Sequence, residues 1–224
     1  MTAARDDILS NIRRSLGVTG GERTRRQIVT ERLDRAPRGV IPARGQVSGE
    51  DLVEVFRKEA EAALATVHTV ETAAEAAQAI AEYLRNHNLP AAVRIGEDPR
   101  LAAMPWGETA LEVSCGPSEG GDLNAVSHAF GGVAETGTLV MVSGPENPST
   151  LNFLPDNHIV VVAAKDIAGD YETVLGKVRG TYGKGRMPRT VNFITGPSRS
   201  ADIEQTLLLG AHGPRRLHIV VLKG

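Results

Sequence analysis

Three short words in this chain hold residue types that can do chemistry. GGVAETGT, residues 131–138, places Glu135, Thr136 and Thr138 among Gly131, Gly132 and Gly137. Glycines let a backbone bend tightly and approach a ligand. A carboxylate beside two hydroxyls can serve as general base or nucleophile, or it can simply hydrogen-bond the amides of its own turn. GPSRSAD, residues 196–202, sets Gly196, Ser198 and Arg199 directly after the apolar run VNFIT. The guanidinium is a bidentate fork for carboxylate or phosphate, or it pairs with Asp202 or Glu204 and ties the turn down. GAHGPR, residues 210–215, offers His212, flanked closely by glycines, and Arg215 after a second Gly-Pro turn. That imidazole either titrates near neutrality or acts as a hydrogen-bonding spacer. Between the two Gly-Pro turns, the LLL word at 207–209 reads as a short buried element.

Other candidates are weaker. Cys115, in SCGPSEGG, has no basic neighbour in sequence to lower its pKa. The six histidines show no H-x-x-H or H-E-x-x-H spacing, so no dedicated metal site is expected. His158 opens a strand and reads as its cap. The Walker pattern G-x-x-x-x-G-K-[ST] is absent, and no G-x-G-x-x-G follows a strand. What remains is a small-anion pocket built from 131–138 and 195–215, at the carboxyl ends of strands where parallel sheets gather their ligands.

The elements that must position these words follow from apolar periodicity. Residues 5–16 form an amphipathic helix with Ile8, Leu9, Ile12 and Leu16 on one face. Residues 17–47 carry seven arginines and few large apolar side chains, an arm rather than a core. From residue 48 helices and strands alternate. Ser48 and Asp51 open a helix with Leu52, Val55, Phe56, Ala60, Ala63 and Leu64 inward. Strand candidates lie at 67–70, 91–95 and 111–113, with a helix opened by Thr72 and Glu75 between the first two. Asn147-Pro148 reads as N-cap and first-turn proline of a short helix at 148–154, and a longer helix runs from about 171 to 182. The runs at 138–142, 158–164, 191–195 and 217–222 are near-continuously apolar, as in strands buried on both faces. The reading is an α/β domain over 48–224, a mostly parallel sheet sandwiched by helices, preceded by an N-terminal helix and extended arm over 1–47.

Composition narrows the function. A net charge of −2 gives no global attraction to nucleic acid, and aromatics at 4% leave little for base stacking. One cysteine excludes a disulfide framework or an iron–sulfur cluster within the chain. No run of about 18 apolar residues is present to span a membrane, and the start MTAARDDILS does not resemble a signal peptide. A cytoplasmic protein is expected.

Five words then add a resemblance. ILSNIRRSLG, AETGTLV, LPDNHIVVV, GPSRSADIE and GAHGPRRLHIVVL occur in order across nearly the whole chain, and together they resemble the LUD domain of the LutC family of lactate-utilisation proteins. The resemblance implies a fold like that of CoA transferases and sugar-phosphate isomerases. It also implies a role in oxidising L-lactate to pyruvate beside iron–sulfur partner subunits, with no cofactor in this chain itself. Glu135-Thr136-Gly137 has the Glu-x-Gly form of the CoA transferase nucleophile, an analogy of fold rather than of demonstrated role. The alternative is a stand-alone CoA transferase-like or isomerase-like enzyme whose ligand is a small carboxylate, a CoA ester or a phosphorylated sugar.

Overall fold

The computed structural model describes residues 2–49, 51–201 and 207–224; Asp202 and Glu204, the expected partners of Arg199, lie outside them. Two compact units divide the chain, one ending at Val40 and one running from Ile41 to Gly224. The first contains α1 (Thr2–Ser15) and α2 (Arg23–Arg35). Ile8, Ile12 and Leu16 are exposed on and just beyond α1, and α2 buries none of its residues. The arm is therefore partly helical, a helix with five arginines that low apolar content concealed. The second unit begins before residue 48, because Gly45 is buried against Gly169 and the Glu135 carboxylate.

Alternation of helix and strand builds the second unit. In chain order it comprises α3 (Asp51–Ala62), β1 (Thr66–Val70), α4 (Ala73–Asn86), β2 (Ala92–Ile95), α5 (Pro99–Ala102), β3 (Glu112–Cys115), β4 (Asn124–His128), β5 (Gly131–Val133), β6 (Thr138–Val142) and α6 (Ser149–Phe153). There follow β7 (Asn157–Ala163), β8 (Ile167–Ala168), α7 (Tyr171–Tyr182), β9 (Val191–Ile194), β10 (Arg199–Ala201), β11 (Leu207–Leu209) and β12 (Arg216–Leu222). Six strands pair in the order β1-β12-β7-β4-β2-β3, all parallel. On one face, Ile80 and Leu84 of α4 and Leu101 of α5 pack on Val93, Ile95, Val126, Ile159, Val161 and Val220. On the other, Phe56 and Ala60 of α3 meet Leu139 and Met141 of β6 over Val160, Val162, Ile219 and Val221. Adjacent residues of β7 thus point to opposite cores, as the period of two requires.

The strong strands TLVMV and VNFI do not join the parallel sheet. They are β6 and β9, antiparallel neighbours in a second sheet ordered β8-β5-β6-β9. Val140 on its outer side packs with Val174 of α7. Helix ends follow local chemistry: Thr72 accepts from the Glu75 amide at 3.2 Å and Asp170 from the Thr173 amide at 2.8 Å. Asn147 is not the cap of α6. Its side chain donates to the Val142 carbonyl instead, and Pro148 occupies the cap position without a side-chain bond. Nor do Leu208 and Leu209 of the LLL word enter the core, since both are half exposed on the β10–β11 ribbon.

Candidate functional site

Two glycines show why the chemical words sit where they do. Gly137 has φ +62° and packs so closely on α3 that a Cβ would collide with the Ala60 amide. Gly196, at φ +71°, stands in the same relation to the Ala63 carbonyl. Left-handed backbone and the absence of a side chain are both required at each, so the end of α3 fixes both turns.

From Gly196 the chain zips onto the turn before β12. The Ser198 amide donates to the Pro214 carbonyl at 2.8 Å, and the Gly210 amide to the Ser198 carbonyl at 3.0 Å. The result is a cavity of about 290 Å³ whose lining includes Gly196, Ser198, Arg199 and His212. Four expected site residues therefore come together. Arg199 and His212 are exposed at its rim, and no carboxylate among the described residues pairs with Arg199. Arg215 is close in sequence but turned elsewhere. Its guanidinium approaches Asp156 at 3.5 Å, and it lines a neighbouring cavity with Tyr83, His87 and Arg216.

The 131–138 word reaches this cavity only through hydroxyls. Thr138 is fully buried and lies 2.6 Å from the Thr195 hydroxyl, and Thr195 lines the cavity. Thr136 and the Tyr171 hydroxyl close the network at 2.7 and 3.0 Å from Thr138. Glu135 faces away. It is buried, accepts a long bond from the Tyr171 amide at 3.3 Å, and donates its own amide to the Gly169 carbonyl at 3.0 Å. Among the described residues it serves as the anchor of the Gly45 and Gly169 segments, and it is not among the residues that line the cavity.

The cavity lies at the amino ends of β7 and β12, where His158 and Leu217 enter the sheet. That reverses the expected end. It also brings in residues that sequence reasoning missed or read otherwise. Asn152 of α6 and His158 of β7 line the cavity, each only 1% exposed. Ser127 of β4 joins them: its hydroxyl donates to Asn152 Oδ1 at 3.5 Å and lies 3.1 Å from His158 Nε2. Because Oδ1 can only accept, the relay runs from the His158 Nε2–H through the Ser127 hydroxyl to Asn152. Nδ1 of His158 and Nδ2 of Asn152 are then left as buried polar atoms without partners. Burial pushes the His158 pKa down to about 3, so the ring is neutral and Nδ1 is a lone pair. Two residues of the lining thus carry an unpartnered acceptor and an unpartnered amide donor, both buried in the wall, and a guanidinium stands at the rim. Such a set suits a small anion that carries a second oxygen.

Among the described residues no group of three or more His, Cys, Asp or Glu is arranged to hold a metal ion. No helix there is long and apolar enough to cross a membrane.

Comparison with known proteins agrees with this architecture. Residues 124–222 match the LUD domain. A lactate utilization protein C from Geobacillus thermodenitrificans is 29% identical over 237 residues, covering 97% of this chain and 95% of that one. Its counterpart from Geobacillus kaustophilus is 28% identical and covers 87% of this chain and 92% of its own. In structure, a DUF162 family protein from Deinococcus radiodurans superposes with a TM-score of 0.60 at 22% identity, over 79% of this chain and 99% of that one. Matching domain, near-full-length relatives and shared fold converge: residues 124–222 match the LUD domain, within a chain similar over nearly its whole length to lactate utilization C proteins.

Proposed function

We propose that this chain takes part in lactate utilization as the cluster-free subunit of an iron–sulfur-dependent system oxidising L-lactate to pyruvate, and that it holds the small carboxylate in the cavity of Asn152, His158 and Arg199. Relatives named lactate utilization protein C, aligned over nearly the whole chain, support the pathway. The observation that carries the binding role is the pair of unpartnered polar atoms on Asn152 and His158. Each such atom costs about 1–3 kcal/mol when buried unsatisfied, a cost that a ligand bonding to both removes.

The chemistry favours a 2-hydroxy acid. Arg199 takes the carboxylate, the Asn152 amide donates to the 2-oxygen, and the hydroxyl donates to His158 Nδ1. Pyruvate, whose 2-oxygen only accepts, satisfies Asn152 but not His158. The alternative, a stand-alone CoA transferase-like enzyme with Glu135 as nucleophile, is disfavoured by the burial of that carboxylate on the Tyr171 amide.

A thermal-shift series tests the assignment. L-Lactate should raise the melting temperature most, pyruvate less and propionate, which lacks the 2-oxygen, least. Saturation at about a hundred times the dissociation constant adds roughly 2.7 kcal/mol. Equal shifts from lactate and propionate would remove Asn152 and His158 from recognition.

A further inference from the structure

The opposite end of the parallel sheet holds a second crevice that the carboxylate-binding reading leaves unused. After β2 the chain turns into α5, whose Leu101 packs on the α4 face. After the neighbouring strand β4 it leaves for the other face, where Ala129 and Ala134 join the α3 core. Adjacent parallel strands whose connections part in this way open a ligand crevice between their carboxyl ends. The space here is about 690 Å³ and shares no lining residue with the Arg199 cavity.

Its walls offer acceptors. Nδ1 of His128 lies 2.9 Å from the Ala129 carbonyl. A carbonyl only accepts, so Nδ1 carries the hydrogen and Nε2 presents its lone pair. His128 is 5% exposed, and burial, then the Arg100 charge, hold its pKa below the usual histidine range. Asn147, also 5% exposed, lines the crevice and leaves its Oδ1 buried with no partner. Glu97 and Glu146 bring exposed carboxylates to the rim. The buried Asp98 is spent on Arg100, which grips it at 2.6 and 3.0 Å. Asp166, 3.9 Å from Lys177, acts electrostatically on His128 and Arg100 from nearby.

The lining therefore has three carboxylates against one guanidinium. That balance repels an anion such as lactate and favours a cation with hydrogens to donate. Phe130 and Tyr182 supply aromatic carbon to the same walls, and aromatic rings beside carboxylates are suited to organic ammonium groups. We propose that this crevice binds a small primary ammonium compound, with the –NH3+ group donating to His128 Nε2 and to the Glu97 and Glu146 carboxylates.

Calorimetric titration of the full-length protein with 1,4-diaminobutane and with 1,4-butanediol tests this, since the two probes match in length and differ in charge. The diamine should bind and the diol should not. In the double variant Glu97→Gln/Glu146→Gln, diamine affinity should fall about tenfold, while the response to L-lactate stays that of the wild type. Both glutamates are exposed, so circular dichroism should show the fold intact. Equal affinity for diol and diamine, no diamine binding, or unchanged affinity in the double variant would each overturn the assignment.

Discussion

His158 and His218 are neutral because folding removes them from water. Burial is the largest cause in both, lowering His158 to about 3 and His218 to about 4, with the charges of His68 and His87 adding to the second. In the unfolded chain both titrate near 6.5. Folded values below unfolded values mean that the stability they allow is complete above about pH 6.5, and it is lost as pH falls through the interval down to the folded pKa values. Urea unfolding at pH 7.5 and pH 5.0 should show a loss on the order of 2 kcal/mol per histidine at the lower pH. A flat profile would mean that the rings take up protons in the native protein as readily as in the unfolded chain. The residue scale is also where the sequence was least informative about the site. Ser127, Asn152 and His158 are drawn together from three separate elements, so no local spacing announces them. Arg199, Ser198 and His212 were legible because turn glycines and prolines bracket them.

At the scale of elements, the contact between α3 and the two turns is the most constrained feature near the cavity. Gly137→Ala would place a methyl against the Ala60 amide at a left-handed residue. Strain of this kind costs of order 1–3 kcal/mol before the collision is counted, so we expect the variant to lose at least about 2 kcal/mol in denaturant unfolding. A loss within about 0.5 kcal/mol would mean that α3 is free to shift. The helices and the buried strands β7 and β12 were readable from apolar periodicity. Pairing direction was not: TLVMV and VNFI have the composition of parallel core strands yet pair antiparallel, because a buried run looks the same in either sheet. The strand β4, NAVSH, escaped altogether. Its polar residues are buried because their side chains bond to other segments, as Asn124 does in donating to the Pro90 and Ala92 carbonyls at 3.0 Å.

For the whole molecule, the division at Val40 and Ile41 makes a separable claim. A chain starting at Ile41 should melt within a few degrees of the full-length protein, whereas one starting at Ser48 loses Gly45 from beside Glu135 and Gly169 and should melt lower. Identical melting of the two would show that residues 41–47 add nothing to the core. The central claim, that the Asn152–His158 cavity holds a small 2-hydroxy carboxylate, is tested most directly by calorimetric titration of L-lactate into wild type and Asn152→Leu. Leucine keeps the branching and heavy-atom count of asparagine and removes the unpartnered amide, giving up only the 3.5 Å bond from Ser127. The added methyl bulk costs about 1–3 kcal/mol at this buried position, so circular dichroism should show the variant folded before it is titrated. Saturable binding by wild type, weakened about tenfold or more in the variant, is the predicted result; no heat with wild type, or the same affinity in both proteins, would contradict it.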